Sequence, residues 1–385
     1  MRARYGLLLA ALAASGCTEP AGNALTCGEF KPERPVLVLG SDFVASALGR
    51  LGADGCLTEI PDLTLGGDAS LSIGNAGPFV SVRVDGVVYA VDPETLSLTR
   101  TWVSYGEDEA KFQMPCGNAG LVSNPHDADL DAAGRLWVAR YDQPTIGVVE
   151  PDGSFGGTVD LGSFADSDGL PEVEAIRVVG ARVYAAVDRL DRCALYKPAG
   201  PGRIAVIDAE KREVTGAIEL GGANPFGRMI SAPWDPSGST VAIALPGSFS
   251  AIDDGDAAAI VDLASGAVQG FGKESSLGGS IAEVAPAAPD EAYAIVAGPE
   301  QANATRVVRL DPATGEVVAT LADSRDEREG GGYCHVGLAI VGAHVLVGSK
   351  PPCAPAILAF DRETGRKAGA IQPERLPPLS LVPLP

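Results

Sequence analysis

The stretch VVRLDPATGEVVATL (Val307–Leu321) holds the pattern from which the fold is read. An apolar, β-branched run leads to Asp311, turn-forming residues follow through Gly315, and a second apolar run closes the phrase. Val, Ile and Thr fit a pleated, half-buried surface, whereas Asp, Pro, Thr and Gly reverse the chain, so the phrase reads as a hairpin. It returns as VVYAVDPETLSLTRTW at Asp92, GVVEPDGSFGGTVDL at Glu150 and IAVIDAEKREVTGAIEL at Asp208. It returns again as AAIVDLASGAVQGF at Asp262 and ILAFDRETGRKAGAI at Asp361. The acids are spaced by 58, 58, 54, 49 and 50 residues, a period that marks a solenoid or a propeller.

Two more strands precede each phrase, as in HDADLDAAG then RLWVARY, or PEVEAIRVVG then ARVYAAV. Four strands per repeat is the content of one propeller blade. Six blades start near Leu65, Asn124, Pro171, Asn224, Gly279 and Tyr333. A seventh comes from joining the chain ends. Pro35–Gly40, Phe43–Gly49 and Cys56–Pro61 supply three strands without an innermost partner, and Leu379–Leu384 is one strand with nothing following. The expectation is an all-β, seven-bladed propeller of four-stranded antiparallel blades over residues 35–385, with six or eight blades as alternatives. Pairing the C-terminal strand with the N-terminal ones closes the ring and removes two sticky edges.

Composition agrees. The 48 Gly and 29 Pro suit a turn-rich chain, and 46% hydrophobic residues can bury a core. The formal charge of −21 argues against nucleic acid, whose phosphates call for clustered Lys and Arg, and against anionic lipid surfaces.

The N-terminus reads as an export signal over residues 1–16: Arg2 and Arg4, the apolar run Leu7–Ala14, then Ser15 and Gly16. That run is far short of the ~20 residues of a membrane span. The sequence Ala14-Ser15-Gly16-Cys17 resembles a bacterial lipobox, although Ala14 stands where Leu is preferred. The resemblance implies lipidation of Cys17, which would begin the mature chain. Thr18, where Asp would favour inner-membrane retention, implies the outer membrane over the inner, on its periplasmic or cell-surface side. Ordinary signal cleavage is the competing reading. Polar residues 17–34, with two prolines and two glycines after Cys17, read as a tether.

The repeats resemble the YVTN-type propellers of bacterial surface and periplasmic proteins. The blade NPHDADLDAAGRLWVARYDQPTIGVVEPDG (Asn124–Gly153) is similar to the NHL repeat and to virginiamycin B lyase-like propellers. Those families carry Pro-His before the inner strand and a Gly-Arg-apolar-aromatic start to the second. Their lyase chemistry draws His and Glu from several blades; with three His in this chain, the resemblance does not imply it.

Beyond Cys17, six cysteines remain, an even count that reads as three disulfides in an exported chain. No C-x-x-C pair or zinc-like Cys/His spacing occurs. Propeller connections alternate between two faces, which places Cys116, Cys193, Cys334 and Cys353 on one and Cys27 and Cys56 on the other. The expected bridges are Cys27–Cys56, Cys116–Cys193 and Cys334–Cys353. The second joins the longest insertions, Ser104–Ser123 and Arg189–Gly202, either for recognition or to stabilise exported loops.

Inner strands line the central channel, and His126, Asp127, Glu172, Glu174, Arg228, Tyr333 and His335 stand at or near their starts. His126, Glu172, Arg228 and His335 are the candidate ligand-binding residues. Polar strand starts also suit a water-filled channel, and His344 reads as a surface turn. Asp166 and Asp168, like Asp253, Asp254 and Asp256, lack a full calcium-loop pattern. Gly330-Gly331-Gly332 precedes a strand, which gives no support for a phosphate cradle, and no nucleophile elbow or kinase signature occurs. No catalytic residue, metal or cofactor is assigned. The leading reading is a non-catalytic, membrane-tethered binding or scaffolding lipoprotein of the cell envelope, its partner a small ligand or another envelope protein. The alternative is a propeller enzyme, a lyase or quinoprotein-like oxidoreductase, acting at the channel mouth.

Overall fold

Each repeated phrase folds as the outer hairpin of a blade, and at five of the six the recurring Asp explains why. The Asp92 carboxylate accepts the amides of Glu94 and Thr95, Asp208 those of Glu210 and Lys211, and Asp262 those of Ala264 and Ser265. Such Asx turns let the side chain take over backbone bonding while the chain reverses. Four residues past the acid the backbone is left-handed, with Gly266, Gly315 and Gly365 at φ 77°, 72° and 69°. Glycine has no Cβ to clash there.

The computed structural model describes residues 24–60, 65–248, 251–298, 304–327 and 331–384. The expected signal segment, residues 1–16, and Cys17 lie outside the described residues. Seven antiparallel blades form a ring. Six are built from strands in chain order, with inner strands Ala69–Gly74, Pro125–Leu130, Val173–Val179, Phe226–Ser231, Ser280–Ala288 and His335–Val341. The third of them carries an inserted hairpin, Leu190–Asp191 paired with Lys197–Pro198, between its second and third strands. We number these blades 2 to 7. Blade 1 is composite: C-terminal Pro378–Pro383 lies innermost against Val36–Ser41, followed by Ser46–Leu51 and Cys56–Glu59. The seven-bladed expectation holds, with the predicted closure.

The core lies between neighbouring blades. Trp137, Ile146 and Val148 of blade 3 pack on Ile176, Val178 and Val183 of blade 4. Leu381 of the closing strand packs on Val36, Val38, Ala339 and Leu346. All three expected disulfides are present, Cys27–Cys56, Cys116–Cys193 and Cys334–Cys353.

One boundary needs correction. Residues 17–34 were expected to be a tether, yet Ala24–Cys27 forms a fifth strand on the outer edge of blade 1, paired to Cys56–Glu59. Phe30, 4% exposed, belongs to the core with Leu51 and Ile371. A four-residue edge strand between prolines carries too little periodicity to be read from sequence, and its pairing is fixed by a disulfide partner 29 residues away. Among the described residues no helix is long and apolar enough to cross a membrane.

Ending the chain after Pro377 removes the innermost strand of blade 1 and leaves Val36–Ser41 an open apolar edge. The expected outcome is loss of a cooperative calorimetric transition and concentration-dependent association. A monomer melting as sharply as the full chain would contradict the closure.

Candidate functional site

The inner strands enter the ring from the face that carries Cys116–Cys193 and Cys334–Cys353. Where they begin, a cavity of about 300 Å³ opens. Its apolar wall includes Leu39, Leu71, Phe226, Val284, Val336 and Leu379. Asp68, Arg83, His126, Asp127, Glu174, Arg228, Glu283, Tyr333 and Lys350 supply its polar groups.

Most of these charges are engaged between blades. Asp127 Oδ2 accepts the Ile176 amide at 3.0 Å and Asp129 Oδ2 the Val178 amide at 2.8 Å, joining blade 3 to blade 4. Glu174 Oε1 accepts the Gly227 amide at 3.0 Å, joining blade 4 to blade 5. Glu283 accepts the amides of Gly337 and Leu338 at 2.7 and 2.8 Å, joining blade 6 to blade 7. Arg228 Nη2 donates to the Leu381 carbonyl at 3.1 Å, across the channel to the closing strand. Burial pushes Asp127 up to about 6, against the hydrogen bonds that favour its charged form. Burial likewise raises Glu283 and lowers Arg228, and their mutual attraction opposes both shifts.

His126 is the group best placed for chemistry. Its Nδ1 lies 2.5 Å from Glu174 Oε2, and its ring stacks on Tyr141 with centroids 4.2 Å apart and planes within 2°. Burial holds the imidazole below its ordinary pKa, against the pull of Glu174. Burial alone would raise Glu174, but His126, Arg83 and the Gly227 amide keep its carboxyl below the usual range. The pair is therefore a neutral ring donating Nδ1–H to a carboxylate, with Nε2 left as an acceptor. The Arg192 guanidinium also lies over the Tyr141 ring, 4.8 Å from its centroid.

Of the four predicted ligand residues, the cavity gathers two, His126 and Arg228. Glu172 and His335 are not on its wall, which corrects the expectation for both. Glu172 occupies a left-handed position, φ 48°, matching Asn124 and Asn224 ahead of two other inner strands. That turn sends its side chain away from the mouth, where Oε1 meets Arg192 Nε at 3.3 Å and Oε2 accepts the Leu190 amide. His335, fully buried, is held by Thr305 Oγ1 at Nδ1, 2.9 Å, and by Glu327 Oε1 at Nε2, 3.0 Å. Sequence reasoning missed Phe43, Arg83 and Lys350, because the loops after second strands reach the mouth as well, and it missed Glu283, which lies three residues inside its inner strand.

Behind His126 lies a second polar cluster. Asp188 is fully buried, with the Tyr141 hydroxyl as the donor beside its carboxylate. Burial, then the nearby Glu174 and Glu172, raises it well above its ordinary pKa. Burial and the charge of Asp168 push Glu172 up to about 9. Carboxylate oxygens of Asp166, Asp168 and Asp191 come within 4.8 Å of one another nearby.

No family model and no curated protein matches the sequence. Solved structures share the fold. Virginiamycin B lyase from Staphylococcus aureus is similar at 12% identity and TM-score 0.51, over 91% of this chain and 100% of that one. Dihydro-heme d1 dehydrogenase NirN, in complex with DHE, is similar at 14% identity and TM-score 0.53, over 92% and 76%. Kuenenia stuttgartiensis hydrazine synthase is similar at 16% identity and TM-score 0.50, over 76% of each chain. At these identities the likeness establishes the propeller fold and nothing of activity.

Two outcomes follow from the buried groups. His335→Ala empties a fully buried site and removes the imidazole's bonds to Thr305 and Glu327, and urea unfolding is expected to show a loss of about 1–3 kcal/mol; unchanged stability would place His335 in a non-structural role. Glu172, held protonated in the fold but ionised above its ordinary pKa when unfolded, contributes stability that is present below that pKa. This contribution is lost as pH rises toward about 9. The urea midpoint is expected to fall from pH 5 to pH 9, and Glu172→Gln to flatten that slope. An equal slope in both proteins would contradict the assignment.

Proposed function

We propose that this chain is a membrane-tethered binding propeller of the bacterial cell envelope that holds a small molecule at the channel mouth without transforming it. The observation that carries this reading is the cavity itself: a concave, largely apolar chamber with convergent polar groups, on the face braced by two disulfides. Acids at its wall are occupied by amides of the next blade, which suits a rigid receptor better than a set of reacting groups. Lipidation of Cys17 would anchor the ring at the outer membrane, with disulfides forming in the oxidising compartment outside the cytoplasm. One acyl chain binds membranes marginally, whereas several hold stably.

The His126–Glu174 pair favours a second reading. A neutral imidazole oriented by a carboxylate, with no hydrogen-bond partner for its other nitrogen among the described residues, is what a general base requires. The enzyme alternative would run through that nitrogen.

Ligand-observed NMR with a fragment library separates the readings. Binding readings expect hits that wild type retains chemically unchanged and that His126→Ala weakens while it still unfolds in one cooperative transition. Turnover of a hit, abolished in His126→Ala, would establish the enzyme instead. For the anchor, Cys17→Ser is expected to shift the protein from membranes into the soluble fraction; equal membrane partition of variant and parent would sink the lipoprotein reading.

A further inference from the structure

We infer that the mouth cavity takes a small organic anion with an apolar body, its acid group set against Lys350. This rests on the mouth being a ligand site, and it adds the ligand's class.

Lys350 follows the second strand of blade 7 and is half-buried at the cavity wall. Its ammonium sits 5.1 Å from the ring centroid of Phe43 and 5.1 Å from that of Tyr333. The rings attract the cation through their faces but accept none of its three N–H donors in a conventional hydrogen bond. No acid counters it among the described residues, and burial is what acts on its charge. The other cations of the wall are compensated: Arg83 pairs with Asp68 at 3.1 Å, and Arg228 lies in the field of Glu283 and Asp127. Arg83 Nε is nonetheless buried and without a partner, a further donor on the same wall.

Phe43 is held in place at some cost. It has φ 67°, rare for a bulky side chain, and is 59% exposed. The loop is locked from within, the Phe43 amide donating to Ser41 Oγ at 3.0 Å and the Val44 and Ala45 amides to Asp42 Oδ1 at 2.9 and 2.8 Å. A strained backbone presenting an exposed aromatic ring to a half-buried cation is strain kept at a ligand clamp. The acids of the wall already accept protein N–H groups, so a cationic ligand would find its acceptors spent. The apolar lining gives a hydrated inorganic ion nothing to replace its water with, whereas a carboxylate on a hydrocarbon body satisfies Lys350 and fills the chamber.

The test uses three matched probes, 3-phenylpropionate, 3-phenylpropan-1-ol and 3-phenylpropylamine, titrated calorimetrically into the purified protein. The acid is expected to bind at least about tenfold tighter than the alcohol, and the amine weakest. Lys350→Met should bring the acid down to the alcohol's affinity while leaving the alcohol unmoved, and Lys350→Arg should preserve the preference. Alcohol or amine binding as tightly as the acid, or acid binding indifferent to Lys350→Met, would overturn the anion inference while the mouth still stood as a ligand site. Absence of binding by all three, with His126 ring signals unmoved in NMR spectra, would overturn both.

Discussion

The structure depends on a hydrogen-bond ladder between the two ends of the chain. Val36–Ser41 pairs with Pro378–Pro383, so the ring closes when the last residues reach the first blade. Until then seven blades are an open arc whose inter-blade faces, rich in Val, Ile and Leu, have one unpartnered end. Closure is reinforced by polar bonds at the axis, where side chains of one inner strand accept amides of the next. Asp127, Asp129, Glu174 and Glu283 all do this, from blades 3, 4 and 6. These bonds explain how four acids are held at or near the centre of an acidic protein: each exchanges water for an amide that would otherwise be unsatisfied.

Arginines complete the axis. Arg177 donates to the Ile73 carbonyl of blade 2, and Arg228 to the Leu381 carbonyl of blade 1, so both span the channel. Ser72, Asp127, Arg228 and Ile230 line both the mouth cavity and a lower chamber of about 750 Å³, and stand between the two. The channel is thereby divided, and the upper part is a pocket with a floor. A floor of fixed charges differs from a pore lining, because it offers a ligand defined partners at a defined depth.

How much of this was legible in the sequence follows from the range of each interaction. Asx turns are local, so the acid of each hairpin announced its blade, and the connection rule then sorted the cysteines to faces. Blade interiors alternate reliably enough that the starts of blades 2 to 7 could be placed. The site was half legible, for a reason of register. Glu172 and Glu174 look equivalent two residues apart, but the left-handed turn at Glu172 and a bulge beyond Val173 break the alternation. His335 looks like a counterpart of His126, yet it turns toward Thr305 of blade 6. Lys350 and Phe43 could not be found from inner-strand starts, because they come from loops after second strands.

The Cys116–Cys193 bridge gains meaning from what stands beside it. Arg192 precedes Cys193, and its guanidinium bonds Asp142 Oδ1 at 2.7 Å and the Tyr141 carbonyl at 2.9 Å while covering the Tyr141 ring. Tyr141 in turn lies flat on His126. A continuous stack thus runs from the stapled hairpin of blade 4 to the imidazole at the mouth. Without the hairpin, Tyr141 would lose the guanidinium over its ring and the bond at its carbonyl, and the ring on which His126 stacks would be held less firmly. The long insertions therefore need not touch a ligand to matter for one: they determine how rigidly the mouth presents its acceptor nitrogen, and a receptor that is ordered before binding has less side-chain entropy to surrender when the ligand arrives.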